Sequence, residues 1–396
     1  MADITLIATA DWDHPLWTNK QHVACSLVEL GHRVLYVESL GLRPPRRGPG
    51  GPVAVQARSD RGRIWRRLRR GLLPPRQVRP GLWVWSPLVI PGALDGPALR
   101  FNRLMLGLGL GLWLRLLGLR ADWLWTYNPM TLAVLEPGPW RRLIYHCVDA
   151  IQVQPGMPTA AIAQWEQRLC RSADAVFVTS PDLLRRLAPL NPNTHFYPNV
   201  ADGAHFARAL EPALPLPADL AAIPGPRLGF VGAISAYKLD LALLEQLART
   251  HANWSLVLIG PVGEGDPDTD VTALAALANV HLLGPRAYAA LPAYLKGFDL
   301  GLLPLRFNPY TRAMFPMKFF EYLAAGLPVV ASAIDALEPF ANLALLCDPT
   351  PEAFAAAITA ALADQGPSRQ QRLAGAAAHT YRGRTEAMLR DLAALD

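Results

Sequence analysis

Short apolar runs alternate along nearly the whole chain with longer stretches in which apolar residues recur every three or four positions. The runs predict buried strands and the stretches predict amphipathic helices. Ile4 to Ala8 reads as a first strand, followed by the loop ADWDHPLW and a helix opened by Thr18 and Gln21 at capping-box spacing. Leu27, Leu30 and the Gly31-His32 break close that helix, and Arg33 to Glu38 gives a second strand, so the chain opens on a β-α-β unit. Further strands are predicted at Leu82–Trp85, Trp123–Thr126, over RLIYHCVDA (142–150) up to Asp149, at Ala175–Thr179 and at Thr194–Tyr197, with helices over Pro97–Leu119, Thr159–Arg171 and Pro181–Leu187. A second series begins at Leu228–Val231 and continues with strands at Ser255–Ile259, Val280–Leu283, Leu300–Leu303, Pro328–Ala331 and Leu343–Cys347 before an alanine-rich helical end.

At 396 residues the chain is long for one hydrophobic core, and two domains are expected. The Pro/Ala-rich stretch Pro212–Pro226 is the predicted linker, which divides the chain into 1–211, 227–375 and a C-terminal helix 376–396 able to pack back on the first domain. The expected fold class is α/β, with two doubly wound Rossmann-like domains facing a cleft and ligands bound outside the C-terminal ends of the strands. The turn after the first strand lacks GxGxxG, which argues against a dinucleotide enzyme. No repeat of solenoid length is visible.

Composition narrows the class. Half of the residues are apolar and 18% are charged, which excludes a disordered chain. Cys25, Cys147, Cys170 and Cys347 form no CxxC pair, against a zinc site or a disulfide framework and in keeping with a reducing cytoplasm. The first residues are acidic where a signal peptide is basic, and the most hydrophobic segment, Leu104 to Leu114 between Arg103 and Arg115, falls short of the roughly 20 residues of a membrane span. The net charge of +6 is unevenly spread: twelve arginines stand between Arg43 and Arg79 against the single acid Asp60. Interleaved with Ile64, Trp65, Leu68, Leu72 and Leu73 and followed by Trp83 and Trp85, they suit an anionic membrane surface, with a solvated basic loop as the plainer alternative. No base-reading module accompanies them, so no nucleic acid is expected as a partner.

The stretch NPYTRAMFPMKFFEYLAAGLPVVAS, from Asn308 to Ser332, concentrates the candidate chemistry. Pro316 suits the first turn of a helix, Met317, Phe320, Leu323 and Ala324 give it an apolar face, and Gly326 caps its end before an apolar strand. Lys318 and Glu321, three apart, share one face of this helix near its start. A lysine there adds to the positive helix end and suits a diphosphate, while a carboxylate one turn on can accept from the two hydroxyls of a ribose. A solvated Lys/Glu pair on a surface helix has the same spacing.

The order of motifs resembles a glycosyltransferase of the GT-B fold over most of the chain. PNVADGAHF (198–206) is similar to the segment that closes the N-terminal domain of those enzymes, and GFVGAI (229–234) to the first strand and turn of their donor domain. WSLVLIGP (254–261) and VHLLGPR (280–286) resemble the following strands, and PMKFFEYLAAGLPVVAS their donor-site helix and strand. The resemblance implies donor contacts from Gly232, Arg286, Met317, Lys318 and Glu321. Two departures stand out: retaining members of glycosyltransferase family 4 carry a second glutamate where this chain has Ala313, and an arginine near the GFVG turn where Ala233 follows Gly232, with Lys238 only a loose match to their lysine. Met317-Lys318 and an aspartate closing a first-domain strand are more similar to the inverting bacterial exopolysaccharide glucuronosyltransferase that acts in xanthan assembly. On that likeness Asp149 is the expected general base, a strand-end cap being its alternative.

The implied function is transfer of a sugar, hexosyl or glycuronosyl, from a UDP- or GDP-sugar to a lipid-linked or cell-surface polysaccharide acceptor on the cytoplasmic face of a membrane. The nucleotide sugar is then a substrate, with no cofactor and no metal expected. Asp13 and His14, with Asp11, lie in the loop after the first strand and are candidate acceptor contacts, with loop capping the alternative for the aspartates. A nucleotide-sugar epimerase on the same fold and a catalytically silent scaffold subunit are the competing readings.

Overall fold

The computed structural model describes residues 1–14, 17–41, 69–71, 73–93, 95–135, 138–264, 266 and 268–395. Most of the arginine-rich stretch, residues 42–68, therefore lies outside the described residues, as does Leu72. The chain divides into two compact units, one formed by Met1–Val178, Leu183–Phe196 and Thr385–Asp396, the other by Thr179–Asp182 and Tyr197–Arg384.

The first unit holds an eight-stranded sheet in the order β3-β4-β2-β1-β5-β6-β7-β8. These strands are β1 (Asp3–Ile7), β2 (Arg33–Val37), β3 (Arg76–Arg79), β4 (Leu82–Trp85), β5 (Trp123–Thr126), β6 (Arg142–Cys147), β7 (Ala175–Val178) and β8 (Thr194–Phe196). All pairs are parallel except β3 with β4. β3 escapes the sequence pattern because RQVR has no apolar face: it is a polar, exposed edge strand, the kind that blunts a sheet margin. Every residue of β1 is buried, as a central parallel strand requires. The order reverses between β2-β1 and β5-β6, which puts the switch point of this sheet at the ends of β1 and β5.

The second unit is a six-stranded, fully parallel sheet in the order β11-β10-β9-β12-β13-β14. Its strands are β9 (Arg227–Val231), β10 (Ser255–Ile259), β11 (Val280–Leu282), β12 (Leu300–Leu303), β13 (Val329–Ser332) and β14 (Leu345–Cys347). In sequence terms this is the 3-2-1-4-5-6 order of a dinucleotide-type fold, with the switch point between β9 and β12. The expected α/β class with two doubly wound sheets is what the chain adopts.

The division falls after Phe196 and not in the Pro212–Pro226 stretch. Residues from Tyr197 on are tied to the second unit by specific bonds: Asn199 donates to the Phe315 carbonyl at 3.0 Å, and Ala201 bridges Thr380. At the other end the final helix, Tyr381–Ala393, contributes Thr385 onward to the first unit, where Arg142 donates to the Leu392 carbonyl and His195 lies 3.1 Å from Asp391. Trp85, read from sequence as part of a membrane-facing set, is buried in the core of the first unit, and Trp83 is half-buried.

Candidate functional site

In the second unit the helix expected after Pro316 spans Lys318–Ala324, its first bonded turn being Phe319 N–H to the Pro316 carbonyl at 3.0 Å. Its end is the predicted glycine cap in full: Gly326, at φ +77°, donates to Leu323 at 2.9 Å and Leu327 donates to Tyr322 at 3.0 Å. Unlike the one-sided helix that the apolar spacing suggests, this one is buried from Phe319 through Ala324. Phe315, Phe319, Phe320 and Phe340 pack ring against ring around it. Tyr322 ties it to the sheet by accepting from the Val231 N–H at 2.9 Å.

Lys318 and Glu321 meet, Nζ to Oε2 at 2.7 Å. The solvated-pair alternative fails on burial: Glu321 is 3% exposed. Among the described residues Lys318 is the only group that hydrogen-bonds its side chain, whereas an ionised carboxylate can accept about four. Burying a carboxylate this incompletely satisfied costs free energy unless water or a ligand completes its shell. Around it stand Tyr288 and Tyr381, whose phenols are held well above their ordinary range, Tyr288 by burial and then by the charges of Glu321 and Asp202, Tyr381 by burial and the same two carboxylates. Both therefore remain neutral hydroxyls within electrostatic reach of the carboxylate. Tyr288 is fixed by stacking on His205 at 4.2 Å, and Tyr381 hydrogen-bonds the Met317 sulfur at 4.0 Å. At seven residues and with no capping side chain, the helix offers little macrodipole, so the anion-binding character rests on the Lys318 ammonium.

Gly232 follows β9 at the switch point, with φ +152°. A neighbour that the sequence reading passed over explains the tightness of this turn. Gly260, at φ +149°, ends β10 so close that a Cβ there would sit 1.9 Å from the Gly232 carbonyl oxygen. The two glycine turns thus leave bare backbone beside β12, where a flat or charged ligand group can approach. The signal was present in LIGP, but only the approach of two strands gives it meaning.

Arg286 lies on the turn after β11, as expected, but its guanidinium is engaged: it pairs with Asp219 at 2.7 Å and donates to the Tyr294 hydroxyl at 2.7 Å. The Arg286 hydrogen bond holds the Asp219 carboxyl below its usual range. Arg286→Ala is accordingly expected to lower stability by about 0.5–1 kcal/mol, as for a partly exposed ion pair, and to weaken nucleotide affinity through the loosened turn. Thermal melting and calorimetry on one preparation read both.

In the first unit, Asp149 stands two residues beyond β6, half-buried, its carbonyl accepting from Ile151 at 3.0 Å. The sequence reading missed its companion, Lys20. The first turn of helix Asn19–Glu29 reads as polar and solvent-facing, yet Asn19, Lys20 and Gln21 are all buried. Burial pulls the Lys20 ammonium below its ordinary range, and the negative charge of Asp149 opposes the shift. Lys20 Nζ also lies 5.7 Å from the ring of Tyr127, just past β5, and that ring stacks on His146 at 4.6 Å. A buried cation, a carboxylate and aromatic rings so collect at the switch point of this sheet.

The described residues of the loop after β1 are strapped down. Thr18 N–H donates to Gln21 Oε1 at 3.1 Å, Gln21 Nε2 to the Asp11 carbonyl at 3.0 Å, and Trp12 N–H to Glu38 at 2.8 Å. The expected capping box is present. Asp13 is ion-paired with Arg70 at 2.8 Å and with Arg76, so part of the arginine-rich stretch answers acids of its own unit. His14 is half-buried, its N–H bonded to the Asp11 carbonyl at 3.2 Å.

Comparison with known proteins bears on this arrangement. Residues 225–364, within the second unit, match the family model described as Glycosyl transferases group 1. A 205-residue segment is 26% identical to TuaH of Bacillus subtilis (strain 168), named as a teichuronic acid biosynthesis glycosyltransferase; it covers 49% of this chain and 51% of that protein, about half of each. Two solved structures superpose over the whole length. Sucrose-phosphate synthase from Thermosynechococcus elongatus does so with a TM-score of 0.69 at 17% identity, covering 100% of both chains. Anabaena Alr3699/HepE in complex with UDP-glucose gives 0.63 at 14%, again covering 100% of both.

Proposed function

We propose that this chain, which has the GT-B fold of the glycosyltransferases and carries a group 1 glycosyltransferase segment over residues 225–364, transfers a sugar from a nucleoside-diphosphate sugar to a hydroxyl acceptor. The observation that carries the reading is Glu321: a buried carboxylate with one side-chain partner, three residues from a lysine, beside the switch point of a dinucleotide-type sheet.

In this reading the ribose hydroxyls complete the shell of Glu321, and the Lys318 ammonium, with three N–H donors, holds a phosphate oxygen without releasing the carboxylate. The backbone of the Gly232 and Gly260 turns and of Met317 lines the donor. Arg286 positions its turn through Asp219, and the turn's backbone receives the base. The acceptor oxygen attacks the anomeric carbon, the bond from that carbon to the diphosphate oxygen breaks, and the proton passes to Asp149. Lys318 stabilises the charge that develops on the leaving diphosphate, so the reading assigns that task to no metal. Inversion follows from a single displacement. UDP is the favoured carrier because a structural neighbour was solved with UDP-glucose, and a cell-surface polymer precursor, lipid-linked, is the favoured acceptor because a sequence relative is named for teichuronic acid biosynthesis. The transferred group is hexosyl or glycuronosyl, and the arginines of Arg43–Arg79 favour work on the inner membrane face.

Release of nucleoside diphosphate tests the reading. Incubated with a panel of UDP- and GDP-sugars, the protein is expected to release diphosphate with one of them when a lipid-linked glycan extract is added, and at a far lower rate without it. Conversion of the donor sugar without acceptor would make the protein an epimerase, and no turnover despite tight binding would make it a scaffold.

A further inference from the structure

Helix Gly96–Leu116 has two unlike faces. Leu99, Asn102, Leu106 and Leu110 are buried in the first unit, and Asn102 fixes the attachment by exchanging hydrogen bonds with the backbone of Ile90 at 2.7 and 2.9 Å. On the opposite face Phe101 is 38% exposed, Leu104 56%, Leu108 61%, Leu112 50% and Leu116 64%. Their spacing of three and four places the five in one continuous ridge. A surface helix ordinarily turns charged or polar side chains to water, and monomeric proteins rarely leave an apolar ridge of this length uncovered.

The charges on this helix indicate what covers it. The segment GPALRFNRLMLGLGLGLWLRL contains no acid, and its ionisable side chains are Arg100, Arg103 and Arg115. Arg103 donates to the Ala133 carbonyl at 2.7 Å. Arg100 and Arg115 are exposed and have no ion-pair partner among the described residues. A second copy of the chain meeting this face about a two-fold axis would set like charges against one another. A leucine ridge flanked by arginines instead matches acyl chains beneath negatively charged headgroups.

We infer that helix Gly96–Leu116 is the lipid-docking element of this protein, lying flat in the headgroup layer of an anionic bilayer with the Leu104-Leu108-Leu112 ridge inserted. It lies there and does not cross: its inner face is committed to the unit's core, and no described helix is long and apolar enough to span a membrane. At about 1.5 Å per residue the helix offers roughly 30 Å of contact line along the surface. The inference deepens the membrane part of the function proposed above and is independent of its donor chemistry.

Vesicle sedimentation tests it on the full chain, with phosphatidylglycerol/phosphatidylcholine and with pure phosphatidylcholine vesicles. The parent is expected to partition to the anionic vesicles. The variant carrying Leu104→Gln, Leu108→Gln and Leu112→Gln, all at exposed positions, should partition about tenfold more weakly or less while keeping its circular dichroism and its nucleotide affinity. A fluorophore on Leu108→Cys should shift to the blue on adding anionic vesicles, and Arg100→Gln with Arg115→Gln should weaken binding most at low salt. Equal partitioning of parent and triple variant, no binding by the parent, or a dimer in ultracentrifugation that the triple variant dissociates would each overturn the assignment. Vesicle binding that survives alongside a failure to bind any nucleotide sugar would instead sink the transferase reading and leave the docking helix standing.

Discussion

Asp149→Asn is expected to lower kcat by about 10²–10⁴-fold while leaving the protein folded and donor affinity close to that of the parent, with a modest loss of thermal stability as the buried Lys20 loses its counter-charge. The amide keeps the size and most of the hydrogen bonds of the carboxylate but cannot take the proton that an acceptor hydroxyl loses as it attacks the anomeric carbon. Asp149 stands past the end of β6, next to the switch point of the first sheet, half-buried and within the electrostatic reach of the buried Lys20 ammonium. That position suits a proton acceptor whose negative charge is needed in the resting enzyme. It also suits a strand-end cap, and the two roles separate in the data. A cap loses stability on substitution with turnover per folded molecule almost unchanged. A base loses turnover in the molecules that remain folded. Steady-state rates and melting curves on one preparation of Asp149→Asn decide between them, and near-parental turnover would return Asp11, Asp13 and His14 to consideration as bases.

The regular parts of the fold were legible because they are local. Thr18 with Gln21, and Gly326 with Leu327, announce a helix start and a helix end through residues no more than a few positions apart, and both caps form as read. The runs at Ser255–Ile259 and Leu300–Leu303 become strands over the expected residues, since a buried parallel strand needs little beyond a short apolar run. What the sequence did not disclose depends on partners far along the chain. Arg286 is drawn to Asp219, 67 positions away. Asp13 meets Arg76 across 63 positions. Lys20 looks like one more solvated lysine until the fold buries it beside Asp149. Gly260 becomes obligatory only because β9 delivers Gly232 against it. The polar edge strand β3 failed for another reason: its residues carry no apolar periodicity to read.

The second large effect concerns the donor. Glu321→Ala and Lys318→Ala are each expected to weaken nucleotide-sugar binding by about 1.5–3 kcal/mol, the range of a hydrogen bond to a charged group, or roughly 10- to 150-fold in Kd. The two variants should differ in stability. Lys318→Ala strips a 3%-exposed carboxylate of its side-chain partner and should melt at a lower temperature, since a buried charge left alone is costly. Glu321→Gln removes the charge with little change of shape and so reports on recognition with the least disturbance of the fold. Calorimetric titration of the parent and Glu321→Gln with the best-binding nucleotide sugar decides whether Glu321 holds the donor. A clear binding isotherm is expected for the parent and at least about tenfold weaker binding for a folded Glu321→Gln protein; equal affinity of the two would remove Glu321 from donor recognition.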